Sequence, residues 1–327
     1  MSYSAQVIQR ARKQLAQQKE DLNSRYQHEL YEAYAKVPRL REIDIQLRQT
    51  VILAAQAAFA KGTDGREALA LCEQKNLQLQ EERKALLAAN FPAGYLEERS
   101  ICDRCGGKGY VGSEMCGCLK ELCRQEQKKE LQKLTTGAER FDAFRLDYYP
   151  NQIDPAYGAS PRQVMERVLA ACRRYAAEFD GSGANLLFVG GTGLGKTFLS
   201  ACIANEVADR GFSVAYESAP VLFEKLNKNQ FSPDEQSRQD AANISGCDLL
   251  IIDDLGTELT NNFTTAALYS LLNERLLENK SILVSTNLTA EEIARRYSPQ
   301  IASRLQGNFR GLVFVGNDIR VMKNRGA

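Results

Sequence analysis

The clearest chemistry in the sequence belongs to eight residues that fit the P-loop pattern G-x-x-x-x-G-K-[ST]: Gly190, Gly191, Thr192, Gly193, Leu194, Gly195, Lys196 and Thr197. In this pattern glycines let backbone N–H groups surround phosphate oxygens, the lysine reaches the outer phosphates, and the threonine hydroxyl can ligate Mg²⁺. The apolar run from Leu186 to Val189 predicts a strand before the loop, and a helical pattern follows it. This context favours a nucleoside triphosphate site over a glycine-rich turn that matches by coincidence. A dinucleotide fingerprint is excluded, because Lys196 stands where that motif requires its last glycine.

A second motif is an apolar run that ends in two carboxylates. Leu249 to Ile252 predict a buried parallel strand, which delivers Asp253 and Asp254 to the edge of the sheet where ligands bind. With a P-loop in the same chain this is the Walker B pattern, in which Asp253 holds Mg²⁺ and Asp254 orients or deprotonates the attacking water. The alternative is that both acids cap a turn. The next apolar run, Ser281 to Thr286, ends at Asn287, which is thereby placed beside the γ-phosphate.

Four cysteines form two close pairs on either side of a glycine-rich turn: Cys102 and Cys105, then Cys116 and Cys118. Thiolates at two-residue spacing are typical zinc ligands, although the second pair, C-x-C, is tighter than in common zinc ribbons. Four thiolates leave no coordination position for water, so the predicted zinc site is structural rather than catalytic. Redox-active thiols are the alternative. The chain holds nine cysteines, and in a reducing compartment that number favours metal binding over disulfides.

Charge and hydrophobicity limit how the protein can contact DNA and membranes. The 327 residues carry a formal net charge of +1, so any contact with DNA must depend on a local patch rather than on the overall field. The N-terminal residues contain no apolar signal core, and no apolar run reaches the roughly 18 residues that a membrane-spanning helix needs. We therefore expect a cytoplasmic protein without membrane contact.

The sequence patterns divide the chain into three regions. Residues 1–98 show helical spacing without β alternation, which predicts an all-helical region. Periodicity leaves open whether this region binds a partner protein or is a structural bundle. Residues 99–134 contain the cysteine hairpin and a charged connecting helix. In residues 135–327 strand and helix patterns alternate, which predicts an α/β fold with an open, mainly parallel sheet.

The order of the motifs, P-loop, L-L-I-I-D-D-L-G-T-E, S-T-N and S-R-L, resembles the AAA+ ATPases of the DnaC/DnaI type, which are bacterial replicative helicase loaders. The cysteine hairpin C-x-x-C-x-G-K-G-Y-V ahead of C-x-C also resembles the amino-terminal zinc module of the DnaI-like branch. The likeness covers most of residues 99–327, whereas residues 1–98 match only in helical character. It implies ATP, Mg²⁺ and Zn²⁺ as cofactors, and a replicative helicase hexamer and single-stranded DNA as partners.

The resemblance also implies roles for single residues. It places Thr197 and Asp253 at Mg²⁺ and Asp254 in the position of the catalytic carboxylate. Three further residues contact a nucleotide: Asn287 as the sensor-1 residue, Arg304 as the arginine finger that acts in trans on a neighbouring subunit, and Arg320 as the sensor-2 residue. An arginine finger in trans makes hydrolysis depend on self-assembly. For both arginines the alternative is a surface ion pair.

Two features depart from the common AAA+ pattern. Many members carry Glu where this chain has Asp254, and the shorter side chain predicts the slow hydrolysis of a switch; Glu258 is a candidate to compensate. Eleven residues follow Gly316, which is too few for the helical lid that AAA+ modules commonly append. We therefore expect an ATPase domain without a lid.

The sequence thus predicts an ATP-dependent loader. Its helical and cysteine regions hold the replicative helicase, and its ATPase region helps to place the helicase on single-stranded DNA during replication initiation or restart. Two alternatives remain open. One is an IstB-like helper, which shares the ATPase core and pairs with a transposase. The other is an adaptor in which bound ATP orders an interaction surface without being hydrolysed.

Overall fold

The computed structural model describes residues 3–59, 63–97, 99–134, 139–155 and 158–321. The chain consists of two compact units. The helical unit is Gln14–Gly112, and the sheet unit combines Met1–Lys13 with Ser113–Ala327. Among the helices in these ranges, none combines the length and the apolar character that a membrane-spanning segment needs.

Three helices build the helical unit, which confirms the all-helical prediction for the N-terminal part of the chain. They are α1 (Ala5–Lys36, which begins in the sheet unit), α2 (Pro38–Phe59) and α3 (Thr63–Asn90). Pro38 starts α2, because proline is tolerated in the first turn of a helix but lacks the N–H that a helix interior needs. A small apolar core forms around Ala33, Leu40 and Leu96.

Polar contacts also join α2 to α3. Arg39 donates to Glu82 at 2.8 Å, and Asn76 donates to the Thr50 hydroxyl at 2.9 Å. Several large apolar side chains of the two helices are nevertheless more than half exposed: Val51, Ile52, Leu53, Leu71 and Leu77. Exposed apolar side chains concentrated on one pair of helices are typical of a surface that a partner covers.

A short hairpin and a helix come next along the chain. Strands β1 (Tyr110–Val111) and β2 (Glu114–Met115) pair in a two-stranded sheet, and α4 (Gly117–Leu134) follows. The hairpin separates the two cysteine pairs in sequence. The turn between its strands contains Gly112, whose φ of 61° lies in the left-handed region that glycine adopts without strain.

The sheet unit is built on five parallel strands in the order β4-β5-β6-β3-β7. These are β3 (Leu186–Val189), β4 (Val214–Ser218), β5 (Leu249–Leu255), β6 (Ser281–Thr286) and β7 (Arg310–Val313). Alternate residues of a strand face opposite sides of the sheet, so Leu186 and Phe188 pack into one apolar core and Leu187 into the other. The prediction of an α/β fold with a parallel sheet is therefore confirmed.

Helices cover both faces of this sheet. They are α5 (Pro161–Glu178), α6 (Lys196–Asp209), α7 (Ala219–Phe231), α8 (Glu235–Gly246), α9 (Asn262–Leu277), α10 (Ala290–Arg296) and α11 (Pro299–Asn308). Ser160 caps α5 and Thr289 caps α10, each through a side-chain oxygen that accepts the backbone N–H three residues further along the chain.

Candidate nucleotide-binding site

The P-loop connects strand β3 to α6, and close contacts require glycine at two of its positions. A Cβ on Gly190 would lie 2.5 Å from the carbonyl oxygen of Phe314, and φ at Gly190 is 155°. At Gly195, φ is 89°, and a Cβ would lie 3.1 Å from the hydroxyl of Tyr149. The same hydroxyl donates to the carbonyl of Leu194 at 2.9 Å. The loop is therefore held in a fixed shape by the elements on either side of it.

Lys196 is the buried cation of the site. Its ammonium group donates to the carbonyl oxygens of Gly190 at 2.8 Å and Gly191 at 2.7 Å, and also to Asn287 Oδ1. Burial lowers the pKa of Lys196, and the nearby Arg320 lowers it further. A bound phosphate group would oppose this lowering of the pKa, because an opposite charge at short range favours the ammonium. Lys196 thus lies where its side chain could bind an anion.

A cavity of about 540 Å³ opens beside the P-loop. It brings together most of the residues that the sequence predicts for the site: Thr192, Gly193, Leu194, Gly195, Lys196, Thr197, Asp254, Asn287 and Arg320. The carboxyl ends of β3, β5 and β6 deliver the P-loop residues, Asp254 and Asn287, whereas Arg320 follows β7. This is the edge at which an open parallel sheet binds its ligands.

The two consecutive acids of β5 take different positions. Asp253 is buried and accepts hydrogen bonds from the Ser285 hydroxyl at 2.5 Å and the Tyr216 hydroxyl at 2.9 Å. Asp254 lines the cavity, and its φ of 55° lies in the left-handed region, which is uncommon for a residue with a side chain. Burial raises the pKa of Asp254, and the neighbouring Asp253 raises it further.

The structure separates the two predicted arginines. Arg320 lines the cavity, and its backbone N–H donates to Asp318 Oδ1 at 2.9 Å. Arg304, on α11, stacks on Tyr269 with 4.3 Å between its guanidinium carbon and the ring centroid, and donates to the Tyr269 hydroxyl at 2.8 Å. The role predicted for Arg320 as a nucleotide contact stays a prediction. The role predicted for Arg304 concerns the nucleotide of another subunit and stays a prediction.

The side chain of Glu258 forms hydrogen bonds outside the cavity. Its buried carboxylate accepts a hydrogen bond from the backbone N–H of Gly256 at 3.0 Å and another from the Tyr297 hydroxyl. Both carboxylate oxygens thus stabilise the loop after β5 and its contact with α10. Of these two acids, Asp254 is therefore the one that lines the cavity, without compensation from Glu258.

The sequence reasoning missed one wall of the cavity. Phe144, Arg145 and Tyr148 lie on this wall, although they precede the P-loop by more than forty residues of chain. Two short 3₁₀ turns, Phe141–Ala143 and Leu146–Tyr148, bring them there. Aromatic faces next to a phosphate loop suit the base of a nucleotide, because every base offers a π face for stacking. The aromatic residues were visible in the sequence, but no local pattern indicates where they pack.

The four cysteines of the hairpin segment form a separate cluster. Their sulfur atoms all lie within 4.8 Å of one another. The backbone N–H of Gly109 donates to Cys105 Sγ at 3.3 Å. Four sulfur ligands at this separation fit the tetrahedral coordination of zinc. Cys102, Cys105, Cys116 and Cys118 are thus a candidate zinc site, as the sequence predicts.

We expect Cys102→Ser to lower the zinc content of the purified protein well below the value of about one ion per chain that four thiolates imply. Serine supplies a much weaker ligand for Zn²⁺, and three thiolates hold the ion less tightly than four. Elemental analysis by mass spectrometry measures the content. Cys72→Ser, on α3 and outside the cluster, is the matched control and should retain the metal. Equal zinc in the two variants would rule out the site.

Comparison with known proteins gives the site a family context. The family model described as IstB-like ATP binding protein matches residues 125–302. The chain is 28% identical to the replicative helicase loader DnaC of Escherichia coli (strain K12) over 150 residues, which are 45% of this chain and 60% of that protein. The matched residues of this chain include the P-loop, both acids of β5 and Asn287.

Two further similarities were found. The chain is 30% identical to the phage-like element PBSX protein XkdC of Bacillus subtilis (strain 168) over 241 residues, which are 67% of this chain and 83% of that protein. Among solved structures, a crystal structure of DnaI shares 21% sequence identity over 59% of this chain and 99% of that chain, with a TM-score of 0.45. The chain thus spans about 60% of the length of the DnaC protein and a larger share of XkdC.

Proposed function

The chain belongs to the family of IstB-like ATP-binding proteins, and we propose that it is an ATPase that helps to load a replicative DNA helicase onto single-stranded DNA. The observation that carries the ATPase part is the cavity in which Lys196, Asp254 and Asn287 lie together. The loader part is supported by the similarity to a protein that is named a replicative helicase loader.

Thr197 and Asp253 are the residues proposed to hold Mg²⁺. The Tyr216 hydroxyl lies 3.5 Å from the backbone carbonyl of Thr197 and 2.9 Å from Asp253, so the two proposed ligands have a common neighbour. One hydroxyl and one carboxylate suit Mg²⁺, which commonly fills its other positions with water and phosphate oxygens. When bound, the ion supplies positive charge at the β- and γ-phosphates.

Residues of the chain carry out the other steps of ATP hydrolysis. Lys196 exchanges its backbone carbonyl partners for phosphate oxygens, and Asn287, released from Lys196, becomes available to the attacking water or the γ-phosphate. Asp254 accepts a proton from that water or orients it. The raised pKa of Asp254 favours this step, because a base works best when its pKa lies closer to the ambient pH.

We expect Asp254→Ala to lower steady-state ATP turnover by about 10²–10⁴-fold, the range typical for loss of a general base. ATP affinity should remain, because Lys196 and the P-loop backbone are unchanged. A phosphate-release assay and a binding titration measure the two quantities. Asp209→Ala, at an exposed ion pair with Lys128, is the control. Equal, near-zero rates for wild type and Asp254→Ala would favour the adaptor that binds ATP without hydrolysing it.

We assign one role to each of the three regions of the sequence. Residues 1–98 bind the helicase, residues 99–134 form the zinc hairpin and its connecting helix, and residues 135–327 form the ATPase domain. The exposed apolar side chains of α2 and α3 support the first assignment, since such surfaces are commonly covered by a partner. Arg304 is proposed to act in trans when copies of the chain assemble on the helicase ring.

Native mass spectrometry of the full chain mixed with a replicative helicase tests the loader proposal. A complex is expected with ATP, and its population should fall when ADP replaces ATP. The similarity to a phage-like element protein makes it necessary to try the helicases of the host and of any resident mobile element. If no helicase binds with either nucleotide, the loader proposal fails. A complex with a transposase would then favour the IstB-like helper.

A further inference from the structure

The nucleotide site contains a buried hydroxyl to which the family resemblance assigns no role. Ser285, near the end of β6, is fully buried. Its hydroxyl donates to Asp253 Oδ1 at 2.5 Å and accepts the backbone N–H of Asp254 at 2.9 Å. We infer that Ser285 is a positioning residue for ATP hydrolysis, which holds both acids of β5 through one hydroxyl. The inference rests on the proposed ATPase function.

The chemistry of the three groups fixes the direction of both hydrogen bonds. A backbone N–H can only donate, an ionised carboxylate can only accept, and a hydroxyl can do both. The proton of Ser285 must therefore point to Asp253, while an oxygen lone pair receives the N–H of Asp254. Alanine at this position would leave the Asp254 N–H and one oxygen of Asp253 without these partners.

The second oxygen of Asp253 is held from the opposite side. Tyr216 on β4 donates to Asp253 Oδ2 at 2.9 Å. Because β5 lies between β4 and β6, Tyr216 and Ser285 hold the Asp253 carboxylate between them. Its orientation is thus set before a nucleotide or metal binds.

The contact with Ser285 also sets the backbone at Asp254. The register between β5 and β6 shifts between Ile252 and Leu255, and within this irregularity the Asp254 N–H is satisfied by the Ser285 side chain. Thr257 closes the turn by donating to the Asp254 carbonyl, from its N–H at 3.2 Å and from its hydroxyl at 2.9 Å. In this left-handed conformation Asp254 lines the cavity, while Asp253 faces Ser285 and Tyr216.

Ser285→Ala is expected to loosen both acids. We expect ATP turnover to fall by about 10–100-fold, the loss typical when a group that orients a metal ligand is removed. A second readout needs no turnover: Mg²⁺ should increase the affinity for the fluorescent analogue mant-ADP in the wild type. In Ser285→Ala that increase should be about tenfold smaller, while mant-ADP affinity without Mg²⁺ stays close to wild type.

Ser281→Ala is the matched control, because Ser281 lies at the start of the same strand and is equally buried. It should leave turnover and the Mg²⁺ effect unchanged. If Ser285→Ala fails to fold, as judged by thermal unfolding, Ser285→Cys replaces it, since a thiol keeps most of the volume but donates only weakly.

The two readouts separate this inference from the proposed function. If Ser285→Ala behaves like Ser281→Ala in both assays, the positioning role is overturned. If the wild type hydrolyses no ATP even with helicase and single-stranded DNA present, the proposed ATPase function fails. The Mg²⁺ effect on mant-ADP affinity then still decides whether Ser285 positions the metal-binding carboxylate: a reduced effect supports it, and an unchanged effect overturns it.

Discussion

Lys196→Ala is expected to reduce ATP turnover by at least about 10²–10³-fold, the loss typical when one preorganised donor to developing negative charge is removed. ATP affinity should fall as well, because Lys196 is buried among the carbonyl oxygens of the P-loop, where a bound phosphate would supply its counter-charge. A binding titration with ATP and Mg²⁺, together with a phosphate-release assay, measures both effects. The helical unit contains none of these residues and should keep its helicity in circular dichroism.

A matched lysine provides the control. Lys280 also donates to a backbone carbonyl, that of Ser245 at 3.0 Å, but it precedes β6 and therefore lies at the amino end of the strand, away from the cavity. Lys280→Ala should leave turnover and ATP affinity within about twofold of wild type, as expected for a surface substitution. Unchanged ATP affinity and turnover in Lys196→Ala would refute the P-loop assignment.

Local sequence chemistry was sufficient to predict the frame of this site. The P-loop and strands β3 and β5 depend on residues that are neighbours in the sequence, so the local pattern is enough to predict them. The fixed geometry of a parallel sheet then places Asp254 and Asn287 at one edge. These features could be read before any tertiary contact was known.

Features that depend on tertiary packing could not be read in this way. Phe144 and Tyr148 line the cavity beside the P-loop because the segment with the two short 3₁₀ turns packs there. Ser285 appears in the sequence as an ordinary small residue of a buried strand, and its two contacts require the irregular register between β5 and β6. Nothing local indicates that Arg304 stacks on Tyr269.

The environment of Arg275 is not indicated by its neighbours in the sequence. Arg275 lies on α9, and the structure buries its side chain completely. Its guanidinium donates to the carbonyl oxygens of Ile244 at 2.9 Å, Cys247 at 3.1 Å and Ser281 at 2.7 Å. The first of these belongs to the last turn of α8, where carbonyls lack helical partners and a cation is favoured.

We expect Arg275→Met to lower the free energy of unfolding of the sheet unit by about 3–5 kcal/mol, because methionine leaves several buried carbonyl oxygens without a donor. Urea denaturation followed by circular dichroism measures the loss. Arg173→Met is the control, since Arg173 makes a surface ion pair with Asp142 and such pairs contribute about 0–1 kcal/mol. Similar midpoints for the two variants would contradict a structural role for Arg275.

The position of Arg275 also predicts how ATP should act on this variant. The three carbonyls lie at the end of α8 and at the amino ends of β5 and β6, whereas the nucleotide cavity lies at the carboxyl ends of the strands. Folded Arg275→Met should therefore bind ATP with nearly wild-type affinity. A ligand at about 100 times its Kd stabilises the folded state by roughly 2.7 kcal/mol, so ATP with Mg²⁺ should recover a large part of the lost stability. Failure of ATP to raise the urea midpoint would instead mean that Arg275 also fixes the shape of the nucleotide site.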